Sequence, residues 1–178
     1  IREGETVGVF QLESPAQRSL QTRLGADGLE DIIASVALIR PGPIKADMVE
    51  PFVARRHGEE KVDYLHPLLE PILAKTYGVV LFQEQVIEIA IEVAGFTPGE
   101  ADHLRKIMGK LRTKGELDNL RELFITKARQ RGLTTTRAAE IFEYIAAYAG
   151  YGFCEAHAAS FANLAYKTAY LAAHYPAE

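Results

Sequence analysis

Gln85-Val86-Ile87-Glu88-Ile89-Ala90-Ile91-Glu92-Val93-Ala94-Gly95 puts apolar side chains on almost every side of a helical wheel and then meets a glycine. A helix apolar nearly all round cannot face water, so this one is predicted to sit at the centre of a core. Helix signals continue on both sides. Ser14-Pro15-Ala16-Gln17 reads as an N-cap, a proline at the first helical position and a capping-box glutamine. Ala16, Leu20 and Leu24 then share a face, and Gly25 supplies the stop. Asp27-Gly28-Leu29-Glu30 opens a second helix, expected to pack through Leu29, Ile32, Ile33 and Val36 and to end before Pro41. Thr97-Pro98-Gly99-Glu100 is a third start, for a helix to about Lys110. Further helices are expected near Pro51–His57, Pro67–Lys75, Leu117–Arg131, Thr136–Tyr148 and Ala156–His174, with Gly58, Gly132 and Gly150 at stop positions.

Two stretches read as strands, Val7-Gly8-Val9-Phe10-Gln11 and Gly78-Val79-Val80-Leu81-Phe82-Gln83. Neither is stable alone, so they are expected to pair as a small ribbon. The fold class is therefore mainly α and multi-helical, with at most a two-stranded β ribbon.

The 178 residues suffice for one domain with a real core, and the hydrophobic and charged fractions, 48% and 25%, are ordinary for a globular chain. No apolar run has the length of a bilayer span. A lone cysteine, Cys154, excludes an internal disulfide and fits a reducing, cytosolic setting. The chain opens at Ile1 without a methionine and closes on Tyr175-Pro176-Ala177-Glu178, which reads as a piece of something larger.

Net charge is −4, yet Arg105 to Arg137 holds ten Lys or Arg against three acids, a local +7 on an acidic remainder. Such a run reads equally as a polyanion contact or as a solvated helical surface. Three motifs could carry chemistry. Arg40-Pro41-Gly42-Pro43 is a rigid turn that either simply ends a helix or holds Arg40 against DNA. In Arg105-Lys106-Ile107-Met108-Gly109-Lys110, Lys106 and Lys110 share a helical face flanked by Arg105. That cluster suits phosphate, and equally complements a helix C-terminus with no ligand at all. Ala149-Gly150-Tyr151-Gly152-Phe153-Cys154-Glu155-Ala156-His157 interleaves glycines with aromatics ahead of an alanine-rich helix. Glycines admit a close approach and aromatic rings stack on bases, while His157 has a donor for a phosphate oxygen. The same residues serve an ordinary helix stop. Cys154 and His157 lack a second pair to complete a zinc site, and no strand-borne aspartate pair marks a two-metal centre.

Taken in order, six segments resemble one family. They are Gly8-Val9-Phe10-Gln11-Leu12-Glu13-Ser14, the Val36–Pro43 stretch, Tyr77-Gly78-Val79-Val80-Leu81-Phe82-Gln83-Glu84-Gln85, Gly99-Glu100-Ala101-Asp102-His103-Leu104-Arg105-Lys106, Tyr151-Gly152-Phe153 with His157, and His174-Tyr175-Pro176-Ala177-Glu178. Together they cover nearly the whole chain and are similar to the fingers region of the bacterial DNA polymerase III alpha family. The resemblance implies residues 1–178 as a single helical fingers fragment, with the palm upstream and further polypeptide downstream. It implies nucleotide contacts at Arg105, Lys106, Tyr151 and His157. Lys110 and Gly152 are expected beside them from the same basic cluster and glycine loop, and DNA contacts are expected at Arg40, Arg112 and Lys114. Lys106 falls where the family often has arginine, and a lysine there keeps the charge but lacks the planar fork. The catalytic aspartates and their Mg2+ ions would belong to the palm, leaving no catalytic or metal residue in this chain. Implied partners are primer-template DNA, dNTP, other domains of the polymerase chain, and a sliding clamp and other replisome subunits, in the bacterial cytoplasm. Cys154-Glu155-Ala156 replaces a more basic family sequence, and Ala156–Ser160 is similar to the error-prone paralogues. Outside that family, the same features would describe a helical DNA-binding module or a protein-interaction scaffold.

Overall fold

A computed structural model describes residues 1–40, 47–108, 114–149 and 152–175. Among them are nine α-helices and no strand. Two compact units arise, one from Ile1–Glu60 with Phe153–Glu178, the other from Lys61–Gly152.

The first unit contains α1 (Pro15–Leu24), α2 (Leu29–Leu38), α3 (Val49–Arg56) and α9 (Glu155–His174). Helix α1 starts as its sequence dictates: the Ser14 hydroxyl accepts the Gln17 N–H, and Gly25 ends it in the left-handed region at φ 58°. The Gln17 side chain, however, does not complete a capping box. It is buried and donates to the Ser35 carbonyl at 3.0 Å, while Gln21 donates to the Ser35 hydroxyl at 2.7 Å. Helix α2 is buried from Asp31 to Leu38, but Leu29, expected in its packing face, is 44% exposed. Its N-terminus is tied to the end of α3 through Asp31, which accepts from Arg56 Nε and Nη2 at 2.7 Å each and from the Asp27 N–H. Burial pushes the Asp31 carboxyl up, but the Arg56 and Asp27 hydrogen bonds outweigh it and hold it at about 2. Helix α9 buries Ala158, Ala162 and Ala165, a stripe of small side chains that lets it lie close against α2.

Val7–Gln11, expected as a strand, is a succession of turns. Gly8 and Gln11 have φ of 78° and 60°, which no extended ladder accepts. The Val9 and Leu12 amides instead donate back to the Thr6 and Val9 carbonyls. The Phe10 N–H donates to the Thr168 hydroxyl of α9, and the Phe10 ring meets Phe161 edge-on at 5.2 Å.

The second unit contains α4 (Glu70–Leu73), α5 (Gln83–Ala94), α6 (Pro98–Met108), α7 (Lys114–Gln130) and α8 (Thr135–Ala149). The helix expected over Pro67–Lys75 is broken into α4 between 3-10 turns at Pro67–Leu69 and Ala74–Thr76. Pro71 has no N–H to donate to the Pro67 carbonyl, which takes the Glu70 N–H instead. Helix α5 is the predicted central helix: Val86, Ile89, Ala90 and Val93 are buried against α6, α7 and α8, although Glu88 and Glu92 keep one edge wet. Phe96, Phe124 and Phe142 stack edge-to-face or tilted, with centroids 5.9 and 5.5 Å apart. The Thr97 box forms in full, with the Thr97 N–H donating to Glu100 at 2.7 Å and the Glu100 N–H to the Thr97 hydroxyl at 3.3 Å.

Val79–Phe82 is buried but is not a strand either. The amides of Leu81 and Phe82 donate to the Gln85 side-chain carbonyl at 2.8 and 2.9 Å. The Gln85 amide donates in turn to Thr76 Oγ1 at 2.8 Å and to the Ile72 carbonyl. One buried glutamine thus supplies the partners that a neighbouring strand would have supplied.

Candidate functional site

The site residues expected from sequence fall in both units. In the second unit, the last turn of α6 carries Arg105 and Lys106. Asp102, one turn earlier, takes both: Arg105 Nε and Nη2 donate to Oδ1 at 3.0 and 2.9 Å, and Lys106 Nζ lies 2.6 Å from Oδ2. The Lys106 and Arg105 hydrogen bonds hold the Asp102 carboxyl below the usual range. Arg105 Nη1 donates to the Gln83 side-chain carbonyl at 2.9 Å. Gln83, the first residue of α5, donates from its amide to the Gly152 carbonyl at 2.8 Å. Asp102, Arg105, Gln83 and Gly152 therefore form one hydrogen-bonded line. Guanidinium has five N–H donors. Three are used here, one N–H on each terminal nitrogen remains, and the side chain is 28% exposed. Arg105 is thus a half-buried cation of fixed orientation, able to bind an anion through two donors.

Gly152 packs closely on Gln83. A Cβ there would stand 3.0 Å from Gln83 Cγ and 3.4 Å from the Gln83 nitrogen, so Gln83 would have to give by a few tenths of an ångström to admit one.

In the first unit, the Arg40 guanidinium lies 4.4 Å over the Phe153 ring. Phe153 meets the His157 ring edge-on at 5.4 Å, and His157 packs on Phe161 at 4.1 Å. His157 itself is exposed, in the first turn of α9. Burial pulls the Arg40 guanidinium somewhat below its ordinary value. Beside this stack is a cavity of about 440 Å3, whose walls include Gln11, Glu13, Arg40, Phe153 and Phe161. An aromatic stack with a cation at its end has the chemistry to hold a flat ring or a phosphate.

Lys110, Arg112 and Tyr151 lie outside the described residues, as does the Lys114 side chain, although Lys114 opens α7. The basic run Arg105–Arg137 is less free than its sequence count implies. Lys127 holds Glu100 at 2.7 Å, Arg121 holds Glu143 at 2.7 Å, and Arg137 holds Glu140 at 2.8 Å. Hydrogen bonds from Lys127, with those from Thr97, hold the Glu100 carboxyl down at about 2. Lys127 and Arg121 therefore fasten α7 to α6 and α8, and Arg137 pairs within α8. Among the described residues Arg129 and Arg131 are exposed and make no ion pair.

Two members of the hydrogen-bonded line were missed in the sequence. Asp102 was legible, three and four residues before the two cations it binds. Gln83 was not, because its partners lie 22 and 69 residues away.

Among the described residues, no helix is long and apolar enough to cross a membrane, and no three His, Cys, Asp or Glu gather where they could hold a metal ion. Fold and site together define an all-helical module with an oriented arginine on one unit and an arginine–aromatic stack on the other. Residues 1–132 match the bacterial DNA polymerase III alpha subunit finger domain, and the chain belongs to that family. It is 67% identical, over 98% of its length, to an error-prone DNA polymerase of Symbiobacterium thermophilum, of which it covers 16%. Over its whole length it is 44% identical to the DNA polymerase III subunit alpha of Aquifex aeolicus, covering 15% of that protein. An error-prone DNA polymerase of Anaeromyxobacter dehalogenans is 47% identical over 99% of the chain, which spans 16% of it. The chain thus spans about a sixth of the length of these curated relatives.

Proposed function

We propose that this chain is the fingers module of a DNA-directed DNA polymerase and positions the incoming dNTP and the template. The observation that carries the reading is Arg105, held by Asp102 and Gln83 with two N–H donors left over. Phosphoryl transfer depends mainly on positioning and on stabilising charge, and a pre-oriented guanidinium supplies both without reorganising when a triphosphate arrives. Lys106 adds charge from the same turn, and Lys110, Tyr151 and His157 are proposed to complete the nucleotide site. Arg40, with Arg112 and Lys114, is proposed to meet DNA.

The carboxylates that hold the two Mg2+ ions are proposed to lie in a palm elsewhere in the longer polymerase, so that these 178 residues alone are inactive. Sliding clamp and other replisome contacts belong to the same whole protein, as does a cytoplasmic location. Ala156–Ser160 and the 67% identity to an error-prone polymerase favour a parent of that type.

The test is single-turnover incorporation by the full-length polymerase, Arg105→Ala against wild type, across a dNTP titration. Loss of a charge-assisted contact is worth about 1.5–3 kcal/mol. That corresponds to a fall of about ten- to a hundred-fold in apparent dNTP affinity or maximal rate, with DNA affinity held. Unchanged incorporation would make Arg105 a helix-end cation and overturn the site.

A further inference from the structure

Arg105 has two anchors of different kinds. Asp102 lies on its own helix, one turn away, and follows it wherever α6 goes. Gln83 lies on α5 and also grips the backbone at Gly152, so among the described residues it is the one that ties the guanidinium to the two other chain segments. The amide's two ends are committed in opposite senses: its carbonyl can only accept from Arg105, and its NH2 can only donate to the Gly152 carbonyl. Gln83 packs so closely on Gly152 that a methyl group there would press on Gln83 Cγ. An aliphatic residue at position 83 would preserve helix α5 and break both bonds at once.

We propose that Gln83 is a positioning residue for the triphosphate: it sets the angle at which Arg105 presents its two remaining donors, and it ties that angle to the chain at Gly152. The inference rests on Arg105 being a triphosphate contact. Gln83 itself touches no substrate and acts through Arg105. Without it, the guanidinium keeps Asp102 but is free to rotate about that single carboxylate oxygen.

The experiment is a double-mutant cycle in the full-length polymerase, using Gln83→Met and Arg105→Ala singly and together. It reads dNTP titrations of single-turnover incorporation, with DNA affinity and thermal unfolding in parallel. Gln83→Met is expected to weaken apparent dNTP affinity about ten-fold, the scale of one oriented hydrogen bond to a charged group, with DNA affinity held. In the Arg105→Ala background the same substitution should change dNTP affinity less than two-fold, because nothing remains to orient. Gln83→Asn, polar and too short to span both partners, provides the same comparison if Gln83→Met lowers thermal stability. Unchanged dNTP affinity in both Gln83 variants, or full additivity with Arg105→Ala, overturns the proposal while leaving Arg105 as a contact. An Arg105→Ala enzyme with normal dNTP affinity removes the reading of the site and this inference with it.

Discussion

Replacing Gln85 by methionine keeps the length of the side chain and removes its amide. Gln85 is fully buried and accepts from the amides of Leu81 and Phe82, themselves only 2% and 3% exposed. Neither amide gains a water or a new acceptor when the carbonyl goes. Each orphaned donor costs about 1–3 kcal/mol. Thr76 keeps its own bonds to the Leu73 and Val79 carbonyls, and the Ile72 carbonyl loses only a long contact of 3.3 Å, so little is lost on the donating side. Burying a thioether instead of an amide returns about 1 kcal/mol. The net expectation for Gln85→Met is a loss of about 3 kcal/mol. The measurement is the urea midpoint at unchanged m, with Glu88→Ala, on the exposed edge of the same helix, as the control. The control should stay within about 0.5 kcal/mol of wild type. A Gln85→Met protein as stable as the control would refute the account of Val79–Phe82 as a segment organised by one buried side chain. The same segment leads directly into Gln83, so a destabilised variant should also bind dNTP less well in the full-length polymerase.

Three further outcomes are expected. Asp31 is held at about 2 against an ordinary 3.8, so its contribution is complete above about pH 5 and fades as pH falls toward 2. That loss, about 2 kcal/mol, should appear in acid titrations of stability and be much reduced in Arg56→Gln, which removes the larger of the two partners that lower Asp31 and leaves the Asp27 N–H in place. Phe124→Ala, at the middle of the Phe96–Phe124–Phe142 stack and fully buried, should cost about 3–5 kcal/mol in denaturant unfolding. Gly152→Ala places a methyl group 3.0 Å from Gln83 Cγ and should lose about 1–3 kcal/mol by overpacking, with reduced dNTP affinity in the full-length enzyme.

Helix starts and stops were legible because they are local. The Ser14 cap, the Thr97 box, and the left-handed glycines at 25, 58, 95 and 132 involve partners within one turn of chain. The central position of α5 was legible for a similar reason, since its apolar composition admits no other placement. The two expected strands failed because apolar patterning states which side chains are buried and not where the backbone amides find partners. At Val7–Gln11 the positive φ of Gly8 and Gln11 turns the chain, and at Val79–Phe82 a glutamine side chain takes the place of a strand.

Charge shows the same division. Counting along the chain made Arg105–Arg137 a +7 segment, whereas folding brings Glu100, Asp102, Glu140 and Glu143 onto it from just outside the counted window. A charge acts through space, so its neighbours in three dimensions decide what is left to meet a ligand. The order of motifs along the chain was enough to place it in its polymerase family and to single out Arg105. The orientation of Arg105 was settled only by tertiary structure, because Gln83 and Gly152 reach it across 22 and 47 residues of chain and become its neighbours only when the helices pack.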